Sequence, residues 1–358
     1  MENKGLLFIP DISGFTRFIN ETEIDHSRLI IQELLELLIN SNQLGLEVSE
    51  VEGDAILFYK FGDSPSLDEL YLQVENMFCA FHRQLVSYEY RRFCQCKACT
   101  SAVNLTLKVI THYGEFTGYN VKNFQKLLGK DVIVAHQLLK NDIQQHEYWL
   151  ITKPVSPKDP PPLAEWMQWN TSVKQTENGE IQFRYTRLSP LKENILPQPV
   201  PALHLEKKKK MFSLSREYKT TIIPLFHASG DFSYRSRWQQ GVKEVEELSH
   251  FLPRVGMRYR AVLENGSSVQ YASSYSFSAE HIEFSETVEE DQSIFYYTLQ
   301  KTGEQTTRLT VDYYLPKNIV KELLFRLNKK KKMEAELAQS LINLDAVVKE
   351  IRLPQTTA

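Results

Sequence analysis

No stretch of this sequence approaches the ~18–20 consecutive apolar residues that span a bilayer. The apolar core of its N-terminus, Leu6 to Ile9, is far too short for a secretory signal, so a cytoplasmic protein without stable membrane insertion is expected. Charge of one sign is lacking too. Against 42 Lys and Arg stand 45 Asp and Glu, a net charge of −3. That excludes a global electrostatic grip on nucleic acid, and no nucleic-acid-reading motif occurs. There is no internal repeat. With 42% hydrophobic and 24% charged residues, the composition fits neither a disordered nor a collagen-like chain.

Cysteine is scarce and confined to one window: Cys79, Cys94, Cys96 and Cys99. In a reducing compartment a disulfide is not the default. The run Phe93-Cys-Gln-Cys-Lys-Ala-Cys99 spells C-x-C-x-x-C just before a predicted strand. A structural zinc site needs four thiolate or imidazole ligands. Cys79 is the obvious fourth, with His82 or His112 as alternatives. The other reading is that these thiols pack as small hydrophobes at the edge of the core.

What is present is enough chain for two domains, at roughly 100–200 residues each among 358. Ser189 to Pro201 reads SPLKENILPQPVP, with prolines too close for a helix or a central strand. Lys207 to Lys210 follow. The expected division is a first domain over 1–188, a Pro-rich and Lys-rich linker over 189–210, and a second domain over 211–358. Ser156 to Pro162 is expected to be a surface loop. In the first part a strand is expected over Gly5–Pro10, a helix over about 14–40, and a hairpin of Leu46–Val51 and Ala55–Tyr59 around Gly53-Asp54. A long helix over Leu67–Tyr90, a strand over Val103–Ile110 and a helix over Val132–Leu139 complete an α+β pattern. The second part reads as a strand (Met211–Thr221), a helix (Pro224–Leu248), consecutive antiparallel strands (Met257–Tyr314) and one long helix from Pro316 to Ile351.

Asp11 ends the first strand and Asp54 sits in the hairpin turn. If the strands pair, both carboxylates project at one end of neighbouring strands, where they suit a hard cation such as magnesium. The alternative is that Asp11 caps the next helix and Asp54 only makes the turn.

Asp11-Ile-Ser-Gly-Phe-Thr16 resembles the opening motif of class III nucleotidyl cyclase domains, and Glu52-Gly-Asp-Ala-Ile56 resembles their hairpin with the second metal aspartate. Ile110-Thr-His-Tyr-Gly-Glu115 and Leu128-Gly-Lys-Asp-Val-Ile-Val-Ala135 are similar to two later motifs of the same family, in the same order. Over roughly residues 5–152 the resemblance implies a ferredoxin-like cyclase fold that dimerises around a purine nucleotide. It implies magnesium or manganese at Asp11 and Asp54, and base-contacting positions at Glu50 and Lys126. The transition-state Asn and Arg of the family fall on Ile133 and Gln137. Losing one charge-stabilising donor typically costs about 10²–10³ in rate, so a self-sufficient homodimeric cyclase is not expected. A degenerate nucleotide sensor is the leading reading. An active cyclase, alone or as the metal-binding half of a heterodimer, is the competing one, and an adaptor with vestigial sites is the third.

The second part resembles START-like, polyketide cyclase-like helix-grip domains. The resemblance rests on Trp238-Gln-Gln-Gly-Val, Leu252-Pro-Arg-Val-Gly256-Met, the aromatic strands and the helix containing Leu337 to Leu344. It implies an apolar small molecule held between sheet and helix, with Tyr271, Tyr275, Phe277, Phe284, Phe295 and Tyr297 as lining. Filling of the core is the plainer role for each ring. Lys207–Lys210 and Lys329–Lys332 suit either an anionic membrane surface or a solvated face.

Overall fold

In the computed structural model of the protein, residues 3–92, 96–176, 179–196, 203–248, 254–264 and 266–351 are described. The chain forms two compact units. One comprises 1–89 with 97–198, the other 199–358 with the short stretch 90–96. Cys94, residues 197–202 at the end of the Pro-rich stretch and residues 251–253 of the second resemblance lie outside the described residues.

The first unit is built on β1 (Lys4–Ser13), buried at every position but Lys4. A strand this apolar must be covered on both faces. It lies centrally in a seven-stranded sheet with β2 (Glu47–Glu52), β3 (Ala55–Phe61), β4 (Thr106–Glu115), β7 (Tyr148–Thr152), β8 (Asn170–Thr176) and β9 (Gly179–Arg187), ordered β2-β3-β1-β4-β7-β9-β8. Only β4 and β7 run parallel. Pro10 shapes the ladder. It has no N–H to donate, and the β1–β3 pairing skips Ile9 and Pro10 before resuming at Asp11 opposite Ala55.

The helices are α1 (Phe15–Glu21), α2 (Ile24–Asn40), α3 (Leu67–Arg91), α4 (Lys97–Ser101) and α5 (Lys130–Leu139), and β5 (Thr117–Val121) and β6 (Phe124–Leu128) form a separate hairpin. The single helix expected over 14–40 is two. Thr22 turns extended (φ −127°, ψ 166°), its hydroxyl donating to the Phe18 carbonyl at 2.6 Å. The strand expected to open at Val103 begins at Thr106, after a 3₁₀ turn over Ala102–Asn104. Val132, Ala135 and Leu138 of α5 join Leu7, Ile9, Leu57 and Ile110 in one core.

In the second unit β10 (Lys208–Tyr218), α6 (Ile222–Gly230), α7 (Arg235–Trp238), β11 (Val242–Glu247), β12 (Arg258–Leu263), β13 (Gly266–Phe277), β14 (His281–Val288), β15 (Ile294–Gly303) and β16 (Thr306–Pro316) precede α8 (Ile319–Asn328) and α9 (Lys330–Glu350). The seven strands form one antiparallel sheet, β10-β16-β15-β14-β13-β12-β11. Leu337, Leu341, Leu344 and Val347 of α9 belong to its core, and the Tyr218 hydroxyl ties β10 to α9 by donating to the Leu341 carbonyl at 2.6 Å.

Three expectations are corrected here. Residues 224–248 are not one helix: Asp231 is extended, its carboxylate accepting the Ser233 N–H, and Val-Lys-Glu-Val-Glu-Glu alternates with the two-residue period of a strand, which it forms as β11. The helix expected over 316–351 breaks at Lys329 (φ −119°, ψ −28°) into α8 and α9. Lys208–Lys210, expected in a linker, open β10 and pair with β16. No helix among the described residues is long and apolar enough to cross a membrane.

Candidate functional site

Asp11 faces Ala55 across the β1–β3 pair, and Ile12 N–H donates to the Asp54 carbonyl at 2.9 Å. The hairpin that carries Asp54 turns on Gly53 at φ 61°, a conformation that favours glycine. The two carboxylates therefore stand at the same end of adjacent strands. Asp11 is 8% exposed. Burial pushes its carboxyl up to about 6, Lys108 opposes the shift, and the charge of Asp54 adds to it. Burial raises Asp54 as well. Lys108 Nζ lies 3.4 Å from Asp11 Oδ1 and donates to the Leu139 carbonyl at 3.2 Å. One ammonium thus faces two desolvated carboxylates, a balance that a divalent cation would complete.

Glu50 and Lys126 are brought together, as an ion pair with each other. His136 Nε2 stands 3.8 Å from the other Glu50 oxygen. The Glu50 contact raises the Lys126 ammonium. Ile133, 54% exposed, and Gln137 share one face of α5, one turn apart. Neither side chain can supply the fixed positive charge of an arginine.

Sequence reasoning missed the network beside this face. Asp131 accepts from Glu115 N–H at 2.7 Å and contacts His112 Nε2 at 3.0 Å, while His112 Nδ1 contacts Thr152 Oγ1 at 2.7 Å. Gly114 makes this approach feasible: a Cβ there would lie 2.3 Å from the Asp131 carboxyl carbon. Its only sequence signal was the glycine at the end of the strand. Also unforeseen is a cleft of about 530 Å³ past the end of β1, lined by Ser13, Gly14, Arg17, Asn104, Thr106 and His146 among others.

The zinc expectation is redrawn around α4. Glu23 accepts from the N–H groups of Lys97 and Ala98, at 3.2 and 3.0 Å, and Cys99 Sγ lies 3.4 Å from His26 Nδ1. His26 and Cys99 belong to a group of donors spaced for one metal ion. Cys96 stands three residues earlier in the chain. His112 is engaged as described, and His82 is buried against Glu147, 3.5 Å away. Cys79 lies in α3, where burial raises its thiol. No sequence pattern joins His26 to Cys99, 73 residues apart.

Inside the second unit, Phe284 stacks on Tyr297 with ring centroids 4.4 Å apart, and Tyr275 stacks on Phe226 at 5.6 Å. Phe295 packs on Tyr313, and Phe277 is 40% exposed. Beside them Arg235 and Glu286 form a fully buried ion pair. Arg235 also donates to the Tyr297 hydroxyl at 3.0 Å, and Tyr297 and Tyr259 donate to Glu286 at 3.3 and 3.4 Å. Burial opposes the guanidinium charge, and the adjacent Glu286 more than restores it. This polar interior was not foreseen.

A family described as "Protein of unknown function (DUF2652)" matches residues 31–148. The "Uncharacterized protein Rv2561/Rv2562" of Mycobacterium tuberculosis (strain ATCC 25618 / H37Rv) is 32% identical over 124 residues, 35% of this chain. The match spans 58% of that curated relative's length. Among solved structures, the guanylate cyclase domain of RhGC from Catenaria anguillulae in complex with GTP is similar at 14% identity, covering 52% of this chain and 96% of that one, with a TM-score of 0.38. A bacterial light-regulated adenylyl cyclase is similar at 18% identity, covering 51% and 52%, also at 0.38. For the adenylyl cyclase CyaB from P. aeruginosa the figures are 14%, 51% and 93%, with a TM-score of 0.34.

Proposed function

We propose that the first unit is a degenerate class III cyclase-like domain that binds a purine nucleoside triphosphate with magnesium or manganese and does not cyclise it unaided. The observation that carries this reading is the pair Asp11 and Asp54, desolvated at one strand end and faced by Lys108. Asp11 and Asp54 would hold a divalent ion there, which would supply positive charge to neutralise phosphate oxygens. Lys108 would orient Asp11. The Glu50–Lys126 pair would have to open before either side chain could read a base. Ile133 and Gln137 leave the developing phosphate charge unsupported.

The second reading keeps the active chemistry and takes the missing groups from a partner. It is favoured by an apolar groove of about 590 Å³ bordering the Asp54 hairpin, lined by Phe15, Ile19, Ile31, Leu35 and Val51 among others. A second copy or a related chain seated there would form the dimer. For the second unit we propose a helix-grip container for an apolar ligand, so that the whole chain acts in signalling. Zinc at His26 and Cys99 would pin the start of α4.

Isothermal titration with ATP and GTP, each with manganese, beside an assay for cyclic nucleotide, tests the reading. Binding without product is expected. Product from the chain alone would overturn the need for the Asn and Arg, and absence of binding would leave the adaptor reading.

A further inference from the structure

α8 turns its apolar side to solvent. Ile319, Val320, Leu323, Leu324 and Leu327 are 84%, 66%, 58%, 53% and 73% exposed, while Phe325 is buried. At 3.6 residues per turn these five fall in an arc of about 140° opposite Phe325. Phe325 anchors the helix to the unit, its ring 5.4 Å from Tyr313 and 6.3 Å from Phe212. The Asn318 side chain caps the helix start by accepting from Lys321 N–H at 3.0 Å. Five large apolar side chains on one ten-residue helix form a contiguous patch, the kind that marks a docking surface.

Cations bracket this stripe. From Lys317 to Lys332 the chain carries Lys317, Lys321, Arg326 and Lys329–Lys332 against the single acid Glu322. The fold adds more from far away in sequence. Lys317 N–H donates to the Lys207 carbonyl at 3.2 Å, and Lys208 pairs with Pro316. One lysine run is thereby placed at the start of α8 and the other at its end. Lys207, Lys209, Lys329, Lys331 and Lys332 are exposed. Lys330 and Lys332 lie 3.7 Å from Glu334 and Glu336, the first pair half-buried and the second exposed, and a solvated pair of this kind neutralises little.

We propose that α8 and its two lysine runs form a docking surface for an anionic lipid bilayer. The helix lies in the interface plane, the stripe enters the boundary of headgroups and acyl chains, and the lysines meet lipid phosphates. The charge selects the occupant. A second copy of this face would set the same cations against each other, whereas an anionic leaflet matches both the stripe and its rim.

Co-sedimentation of the full chain with vesicles tests this. Retention is expected on equal parts phosphatidylcholine and phosphatidylglycerol, not on phosphatidylcholine alone. Leu323→Gln/Leu327→Gln should abolish it. Lys329→Gln/Lys331→Gln should weaken it about 25-fold, at about fivefold per cation. All four side chains are exposed, so unchanged melting temperatures would show the fold intact. Equal retention on neutral vesicles, no retention, or retention by the leucine variant would overturn the proposal. So would a dimer of the wild-type chain that Leu323→Gln/Leu327→Gln converts to monomer without vesicle binding, which would assign the stripe to a second copy.

Discussion

Asp11 occupies a place where a carboxylate is costly: buried, beside Asp54, with one lysine in reach. Asn retains the shape of Asp and caps a helix as well as Asp does, and it removes the crowded charge, so a carboxylate kept for a cation can give way to it without loss of stability. Asp11→Asn is therefore expected to melt no lower than wild type at pH 7 and to lose all response to manganese with ATP. A large fall in its melting temperature would identify a structural role. His82 gives a prediction of opposite character. Burial, with some help from Lys192, holds its imidazole down at about 3. The unfolded chain takes up a proton below its ordinary pKa of about 6.5, while the folded chain does not until far lower. Stability from this site is complete above about 6.5 and falls as pH drops toward 3, by about 1.4 kcal/mol per pH unit. In urea titrations between pH 6.5 and 4.5, His82→Gln should lose stability less steeply than wild type; parallel slopes would refute the assignment.

Elements were legible where their signal was local. The β1 run, the Gly53-Asp54 hairpin and the amphipathic part of α5 each sit within one short window, and Asp11 and Asp54 came with them. The β5–β6 hairpin and β7–β9 were not read at all. Their residues are mixed in polarity or brief, and the partners that make them strands lie far along the chain. The same distance hid the buried Arg235–Glu286 pair, which fastens α7 to β14 with help from Tyr297 of β15 and Tyr259 of β12; Glu50 and Lys126, 76 residues apart, were named together only through the family resemblance. Removing one partner of a buried ion pair strands the other's charge, at about 3–5 kcal/mol, whereas an apolar replacement of both is often close to neutral. Glu286→Gln should therefore destabilise the second unit more than Arg235→Leu/Glu286→Leu in denaturant titration. The reverse order would mean that the pair contributes net attraction.

At the scale of the whole molecule, each unit has its own buried core. Two cores of this size are each able to melt cooperatively, so calorimetry should show two transitions and ligands should sort them. A ligand that binds only the folded first unit stabilises that unit by RT ln(1 + [L]/Kd), about 2.7 kcal/mol at a hundredfold excess over Kd. For a unit of this size that moves its midpoint by roughly 5–10 °C. Manganese with ATP should shift one transition, and Asp11→Asn should abolish the shift. Glu286→Gln should lower the other transition and leave the nucleotide response unchanged. These two perturbations belong to different cores, so their effects should add. A nucleotide shift that appeared in both transitions, or one that Glu286→Gln reduced, would show instead that the units are energetically coupled. A signalling chain needs that coupling, because a ligand at one unit changes the other only through a free energy shared between them.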